Sequence, residues 1–183
     1  MQQHREEENN MKKRILTAVL AAALVTGTCA ATVSAKEEKT YTIGICQLVQ
    51  HDALDAATKG FEDAITEKMG DSVKFDEQNA QGESNNCSTI INSFVSEGAD
   101  LILANATASL QAAAAGTSDI PILGTAVTEY GVALGIDDFD GTVGGNISGT
   151  SDLAPLDEQA DMLHELFPDA KNVGLLYCSA EAN

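Results

Sequence analysis

The chain has 183 residues, of which 44% are hydrophobic, 21% charged and only 4% aromatic. Ten Lys and Arg stand against 28 Asp and Glu, a net charge of -18. That excludes nucleic acid and anionic membrane surfaces as natural partners, since both are bound through Lys and Arg. The apolar fraction excludes disorder as the default and supports one domain of roughly 100–150 residues. Charge is also unevenly spread: no Lys or Arg occurs from Phe75 to Ala170, and both arginines, Arg5 and Arg14, precede the expected folded part. An anionic ligand would have to be held without guanidinium.

Lys12, Lys13 and Arg14 lead into the apolar run Ile15 to Val25, followed by small residues to Ala35. A basic start, a short apolar stretch and a small-residue exit describe a secretory signal. The run is shorter than the roughly 20 residues a membrane span needs. Met11 is the better start, with Met1 to Asn10 an upstream extension. Val33-Ser34-Ala35 offers a cleavage site before Lys36, and lipidation at Cys29 is the competing route to the cell membrane. Either route places the chain outside the cytoplasm, periplasmic or extracellular. Beyond Ala35 the cysteines are Cys46, Cys87 and Cys178, an odd number without metal-site spacing.

Tyr41 to Cys46 predicts a buried strand, and His51 to Met69 a helix with Leu54, Ala57, Phe61, Ala64 and Ile65 on one face. Ser72 to Phe75 is a short strand. Ser84, Asn85 and Asn86 are N-cap candidates for a helix carrying Ile90, Ile91, Phe94 and Val95, stopped by Gly98. Asp100 to Ala104 is a strand, Ser109 to Ala115 a helix closed by Gly116, Ile120 to Leu123 a strand and Val132 to Ile136 another. Pro155 opens a helix with Leu156, Ala160, Leu163, Leu166 and Phe167 inward, and Asn172 to Tyr177 is a last strand. Strands alternating with helices predict an α/β fold, a doubly wound parallel sheet with helices on both faces. Ligands bind such sheets beyond the carboxyl ends of the strands. The segments to inspect are 47–52, 78–84, 105–109, 125–130 and 150–152. A fresh β-α cycle beginning at Asn172 marks the expected start of a second lobe. The expected division is an extension and signal over 1–35, a first α/β lobe over 36–150, and a crossover into the second lobe over 151–183.

Asn105 to Ser109 leaves a strand and opens a helix. Backbone N–H groups at a helix start attract anions, and the Thr107 and Ser109 hydroxyls either add donors or cap the helix. This is the candidate seat for a ligand carboxylate. Asp152 either accepts from an ammonium group or caps the helix after Pro155. Gln47 and His51 both leave the first strand, and Thr128 lines the cleft or satisfies a turn. The glycines from Gly141 to Gly149 lack phosphate-loop spacing and no Lys follows. Neither a nucleophile motif nor a histidine cluster is present, so neither an enzyme nor a cofactor is expected.

Seven stretches carry a resemblance: IGICQ in the first strand, HDALDAATKGF, QNAQGE, DLILANATASLQAAA, IPILGTAVTE, GGNISGTSDLAPLDEQ and NVGLLYCSAEAN. In this order they resemble the exported substrate-binding proteins of ABC transporters, in the group labelled tryptophan/tyrosine transport. The resemblance implies the first lobe of a two-lobed, periplasmic-binding-protein-like fold that closes on a small amino-acid-like ligand. It also implies an ABC permease with its ATPase subunits as partner. By that analogy Thr107, Ala108 and Ser109 hold a carboxylate, Thr128 and Asp152 assist, and Gln47 lies at the cleft wall. Four positions depart from the family: Cys46 replaces an aliphatic residue, Ala108 lies where Pro is usual, and Glu129-Tyr130 replaces Asp-Pro. The alternative is the extracellular sensor lobe of a signalling receptor.

Overall fold

The computed structural model describes residues 39–177. The expected secretory signal, Cys29 and Cys178 lie outside the described residues. Strand β1 (Tyr41–Gln47) is buried from Ile43 onward, the pattern of a central strand covered on both faces. His51 ends its outgoing loop and caps helix α1 (Asp52–Met69), its Nδ1 accepting from the Ala53 N–H at 3.2 Å. Asp52 and Asp55 sit in the first turn, where the helix dipole favours negative charge. A single 3-10 turn (Gly70–Ser72) leads to β2 (Val73–Asn79), which runs four residues beyond the expected end at Phe75.

Helix α2 (Ser84–Glu97) drives Cys87, Ile90, Ile91 and Phe94 into the core and stops at Gly98, whose φ of 74° suits glycine. Strand β3 (Leu101–Asn105), helix α3 (Thr107–Gly116) and strand β4 (Ile122–Val127) follow. Then come helix α4 (Tyr130–Leu134), strand β5 (Ile147–Ser151) and helix α5 (Leu156–Leu166).

The sheet order is β2-β1-β3-β4-β5, every pairing parallel. Helices cover both faces, as the sequence predicts. On one, α2, α3 and α4 bury Phe94, Ile91, Leu110, Ala113 and Tyr130 against Cys46, Ile102, Ala104, Ile122 and Val127. On the other, Phe61 and Ile65 of α1 cover Ile43, Ile45 and Leu103. Gly44 permits the first packing, because a Cβ there would meet the Phe94 ring at 2.5 Å.

Three expectations are corrected. Val132–Ile136 is no strand: α4 ends at Leu134 and Gly135 takes a left-handed conformation. The Glu129 carboxylate accepts from the Gly131 and Val132 N–H groups at 2.8 and 2.6 Å and so nucleates a helical turn instead. Asn172–Tyr177 pairs with no strand among the described residues, and Leu175 and Leu176 are fully solvated. The apolar side of α5 is outward, with Leu156, Leu166 and Phe167 each more than 60% exposed, because no described element packs on it.

Candidate functional site

The chain leaves β1, lays β2 on one side, and returns to the other side of β1 for β3. The sheet order therefore reverses between β1 and β3, and such a switch point leaves a crevice at the carboxyl ends of the strands. The register makes that edge level. Gln47 lies opposite both Asn79 and Asn105, and Asn105 opposite Thr125, so a row of four polar residues closes four adjacent strands. Backbone hydrogen bonds tie the outgoing loops together: Leu48 N–H to Asn105 O at 3.2 Å, Ala80 N–H to Gln47 O at 2.8 Å, Gly82 N–H to Leu48 O at 2.8 Å, and Ala106 N–H to Thr125 O at 3.0 Å.

Helix α3 begins at the crevice. Its N-cap is Ala106, with φ 85° and no side-chain cap. Neither Thr107 nor Ser109 caps this helix; both lie inside its first turn. Ala106 O accepts the first helical bond, from Leu110 at 3.1 Å, and N–H groups earlier in a helix have no intrahelical acceptor. The first turn of Thr107, Ala108 and Ser109 thus presents the positive end of the α3 dipole to the strand ends. Thr107 and Ser109 are buried and Ala108 half-buried. The Ser109 hydroxyl is turned toward the core, 3.6 Å from both Cys46 Sγ and Cys87 Sγ, which leaves only its backbone N–H on the side of the crevice. A non-glycine residue at positive φ is strained. A second such alanine, Ala126 at φ 52°, lies in the neighbouring β4 exit.

Gln47 is 1% exposed and faces the protein rather than the crevice. Its Nε2 donates to Asp55 Oδ1 at 2.6 Å and Val49 O at 3.0 Å, and its Oε1 accepts from Thr58 Oγ1 at 2.7 Å. Asn105 Nδ2 donates to Thr58 Oγ1 and Leu54 O, both at 2.9 Å. This network anchors the start of α1 to the ends of β1 and β3. Asn105 Oδ1 is buried without a partner among the described residues. The sequence reasoning missed Thr58, and it named Asn105 only as the start of the α3 seat and not as the partner of Gln47 and Thr58. A Thr recurring within the apolar face of α1 was the available signal for the first, and the strand end opposite Gln47 for the second.

Thr128 and Asp152 are brought together by the β4 and β5 exits. Ser151 Oγ donates to Thr128 O at 2.6 Å and accepts from the Leu153 N–H at 3.1 Å. Asp152 N–H donates to Val127 O at 3.2 Å. Asp152 does not cap α5, whose N-cap is Pro155 without a side-chain bond. Its carboxylate is exposed and lies near Tyr130, whose hydroxyl pKa is raised by burial first and by the Asp152 charge second. An open depression of about 540 Å³ runs along Thr128, Tyr130, Phe139, Val143, Ser151 and Leu153. It takes in Thr128 but does not reach Thr107, so it flanks the α3 seat rather than forming it. Among the described residues no His, Cys, Asp and Glu group could hold a metal ion, and no helix is long and apolar enough to cross a membrane.

The family model for ABC transporter substrate-binding proteins matches residues 42–183. A tyrosine-binding protein of Clostridioides difficile is 44% identical over 149 residues, 80% of this chain and 43% of that protein. An ABC domain from Streptococcus pneumonia solved in complex with L-Trp superposes with a TM-score of 0.72 at 34% identity, covering 79% of this chain and 50% of that one. A ligand-free, open substrate-binding protein with adhesive properties from Clostridium difficile gives 0.65 at 41% identity, over 78% and 49% of the two chains. The chain therefore spans about half the length of the relatives it matches. The family model and two of these relatives are described as binding proteins. A parallel lobe of this topology, matched from its first strand onward at such identity, belongs to the ABC transporter substrate-binding protein family.

Proposed function

We propose that this chain supplies the first lobe, residues 36–150, of an exported solute-binding protein, with 151–183 leading into the second. It binds a small amino-acid-like ligand between the lobes and hands it to an ABC permease driven by ATPase subunits. The observation that carries this reading is the first turn of α3 standing at the β1/β3 switch point, with the Asp152 carboxylate on the β5 exit of the same edge. A zwitterion needs donors for its carboxylate and an acceptor for its ammonium, and this edge holds both. Charged hydrogen bonds contribute about 1.5–3 kcal/mol each, so three or four suffice for micromolar affinity, which needs about 8 kcal/mol. With no Lys or Arg from Phe75 to Ala170, the donors on this edge are the backbone N–H groups of Thr107, Ala108 and Ser109, with the Thr107 and Thr128 hydroxyls beside them.

Aromatic amino acids are the ligand class to test first, because one relative is a tyrosine-binding protein and another was solved with L-Trp. This chain's match covers 43% of the first relative and 50% of the second, and a buried site covers roughly 70–90% of a small ligand. The lobe alone should bind weakly for that reason. Calorimetry of the complete secreted protein against all twenty amino acids tests the reading: a micromolar Kd for one aromatic or related amino acid is expected, and heat from none of them would overturn it.

A further inference from the structure

Beneath the α3 seat three side chains from three elements converge: Cys46 of β1, Cys87 in the first turn of α2, and Ser109 of α3. Each is completely buried. Cys46 Sγ–H donates to Ser109 Oγ at 3.6 Å, and the same oxygen lies 3.6 Å from Cys87 Sγ. Beyond sharing that oxygen, the Cys87 thiol stands within hydrogen-bonding reach of the Cys46 thiol, and both cysteines are free. Solute binding gives neither thiol a task. Cys46 occupies a core position flanked by Ile45 and packed with Ala104 and Ile91, which an aliphatic side chain would fill at least as well. Two thiols placed on separate elements and meeting at one point have a chemistry that two aliphatic residues would lack.

We infer that Cys46 and Cys87 are a dithiol pair that closes to a disulfide in an oxidising compartment, pinning β1 to the start of α2. Exported proteins form and keep such bonds. The inference rests on the export of the chain and not on the identity of its solute. The oxidant is a disulfide, either of an oxidoreductase or of a small thiol. One cysteine thiolate attacks a sulfur of that disulfide and forms a mixed disulfide, releasing one thiol of the donor. The second cysteine thiolate then displaces the other donor thiol. One sulfur–sulfur bond forms and one breaks. The two cysteines lose two protons and two electrons, which leave with the donor as its two thiols. Burial keeps the Cys46 thiol protonated in the folded lobe, so exchange runs during folding, before α2 settles on the sheet. The closed bond leaves Ser109 without a thiol donor at the base of the α3 turn.

Refolding of the full reduced chain in oxidised glutathione tests this without any assumption about export. The product is denatured without reductant, alkylated, digested and analysed by mass spectrometry. A peptide pair joined through Cys46 and Cys87, and released by dithiothreitol, is expected. Quantitative alkylation of either cysteine, or its joining to Cys29, Cys178 or glutathione instead, overturns the inference. The Cys29→Ser/Cys178→Ser variant repeats the measurement free of the two other thiols. Closing a loop of about 40 residues should raise the melting temperature of the oxidised protein by roughly 10 °C over the reduced form; equal melting temperatures overturn it as well.

Discussion

The Tyr130 hydroxyl donates to the Thr150 carbonyl oxygen at 3.1 Å, across a floor made of Gly124 and Gly149. The two glycines face each other in the β4–β5 register. A Cβ on either would run into the phenol oxygen, and one on Gly149 would also run into the Gly124 backbone. Glycine is used here for close approach, and it seats Tyr130 from α4 over the strand pair that delivers Thr128 and Asp152.

Gly149→Ala should therefore destabilise the lobe by about 1–3 kcal/mol, as overpacking does. Tyr130→Phe, which loses one hydrogen bond and keeps the ring, should cost about 0.5–1.5 kcal/mol. Urea unfolding of the two variants ranks them. The assignment of the glycines as a floor fails if Gly149→Ala is as stable as the parent.

The polar network under the crevice makes a second prediction. Thr58 Oγ1 donates to Gln47 Oε1 and accepts from Asn105 Nδ2, so Thr58→Val keeps the shape, removes one partner from each amide and leaves Gln47 Oε1 only the long 3.4 Å contact from Asn105 Nδ2. A buried polar group left unpaired costs about 1–3 kcal/mol. Thr58→Ser keeps the hydroxyl and should cost less. Chemical denaturation distinguishes them, and equal losses would show that the methyl group, not the hydroxyl, matters.

Much of this architecture is legible in the sequence. Apolar runs such as YTIGIC and DLILA announce buried strands, and the 3.6-residue spacing of Phe61 and Ile65, or of Ile90, Ile91 and Phe94, announces helices packed on one face. What escapes is the part decided by partners. Ile147–Ser151 (ISGTS) has a single apolar residue and reads as part of a glycine-rich loop; it becomes β5 because β4 offers it a ladder. The residues Val132 to Ile136 look like a strand by hydrophobicity, since a short apolar run has no period of its own. The deciding signals were the flanking Glu129 and Gly135. The reverse error falls on Asn172–Tyr177, whose composition suits a strand that finds no neighbour among the described residues. At the candidate site, the sequence places Thr107, Ala108, Ser109, Thr128 and Asp152 on one edge, but it could not show that Ser109 turns its hydroxyl to two thiols or that Gln47 turns its amide to Asp55. Side-chain direction depends on neighbours from other elements, Asp55 and Thr58 of α1 for Gln47 and Cys46 of β1 with Cys87 of α2 for Ser109.

Acid should loosen the opposite edge of the sheet. Asp100 accepts from the Thr42 N–H at 2.9 Å and pairs with Lys39 at 2.8 Å. Its carboxyl pKa is lowered, by the Lys39 hydrogen bond first and the Thr42 N–H second. A group with a depressed folded pKa stabilises above its unfolded value and loses that contribution as pH falls through the folded one. The contribution of Asp100 should thus be complete at neutral pH and vanish below the ordinary carboxylate range, near pH 4. It should be modest, since Lys39 is 65% exposed. Asp100→Asn should flatten the acid limb of the melting-temperature curve between about pH 5 and 2 while leaving the rest parallel. An unchanged limb would remove Asp100 as its source.

The Cys46 thiol should be inert in the reduced, folded lobe. Burial pushes it up to about 12, against a smaller opposing effect of the Ser109 hydrogen bond. At pH 8 only about one molecule in ten thousand would carry the thiolate, which is the reactive form. Iodoacetamide should therefore label Cys46 rapidly after denaturation and barely at all before it. Rapid labelling of the native reduced protein would place the thiol at the surface.

The α3 turn and Asp152 carry the last prediction, which separates the two ends of the ligand. Asp152→Asn keeps the size of the side chain and the backbone bond to Val127 O, yet removes the charge that would meet an ammonium group. Losing a charged hydrogen bond of about 1.5–3 kcal/mol corresponds to roughly a 10- to 150-fold weaker Kd. The penalty should disappear for a ligand without an ammonium group, such as the matching 2-hydroxy or desamino acid. Thr107→Val should do the reverse, weakening acids and sparing the amine that lacks a carboxylate. Titration calorimetry of both variants of the complete secreted protein with the three ligand types reads this as a cross-over. If both variants weaken all three ligands equally, the two residues maintain the shape of the lobe, and the carboxylate seat at α3 is lost as an explanation.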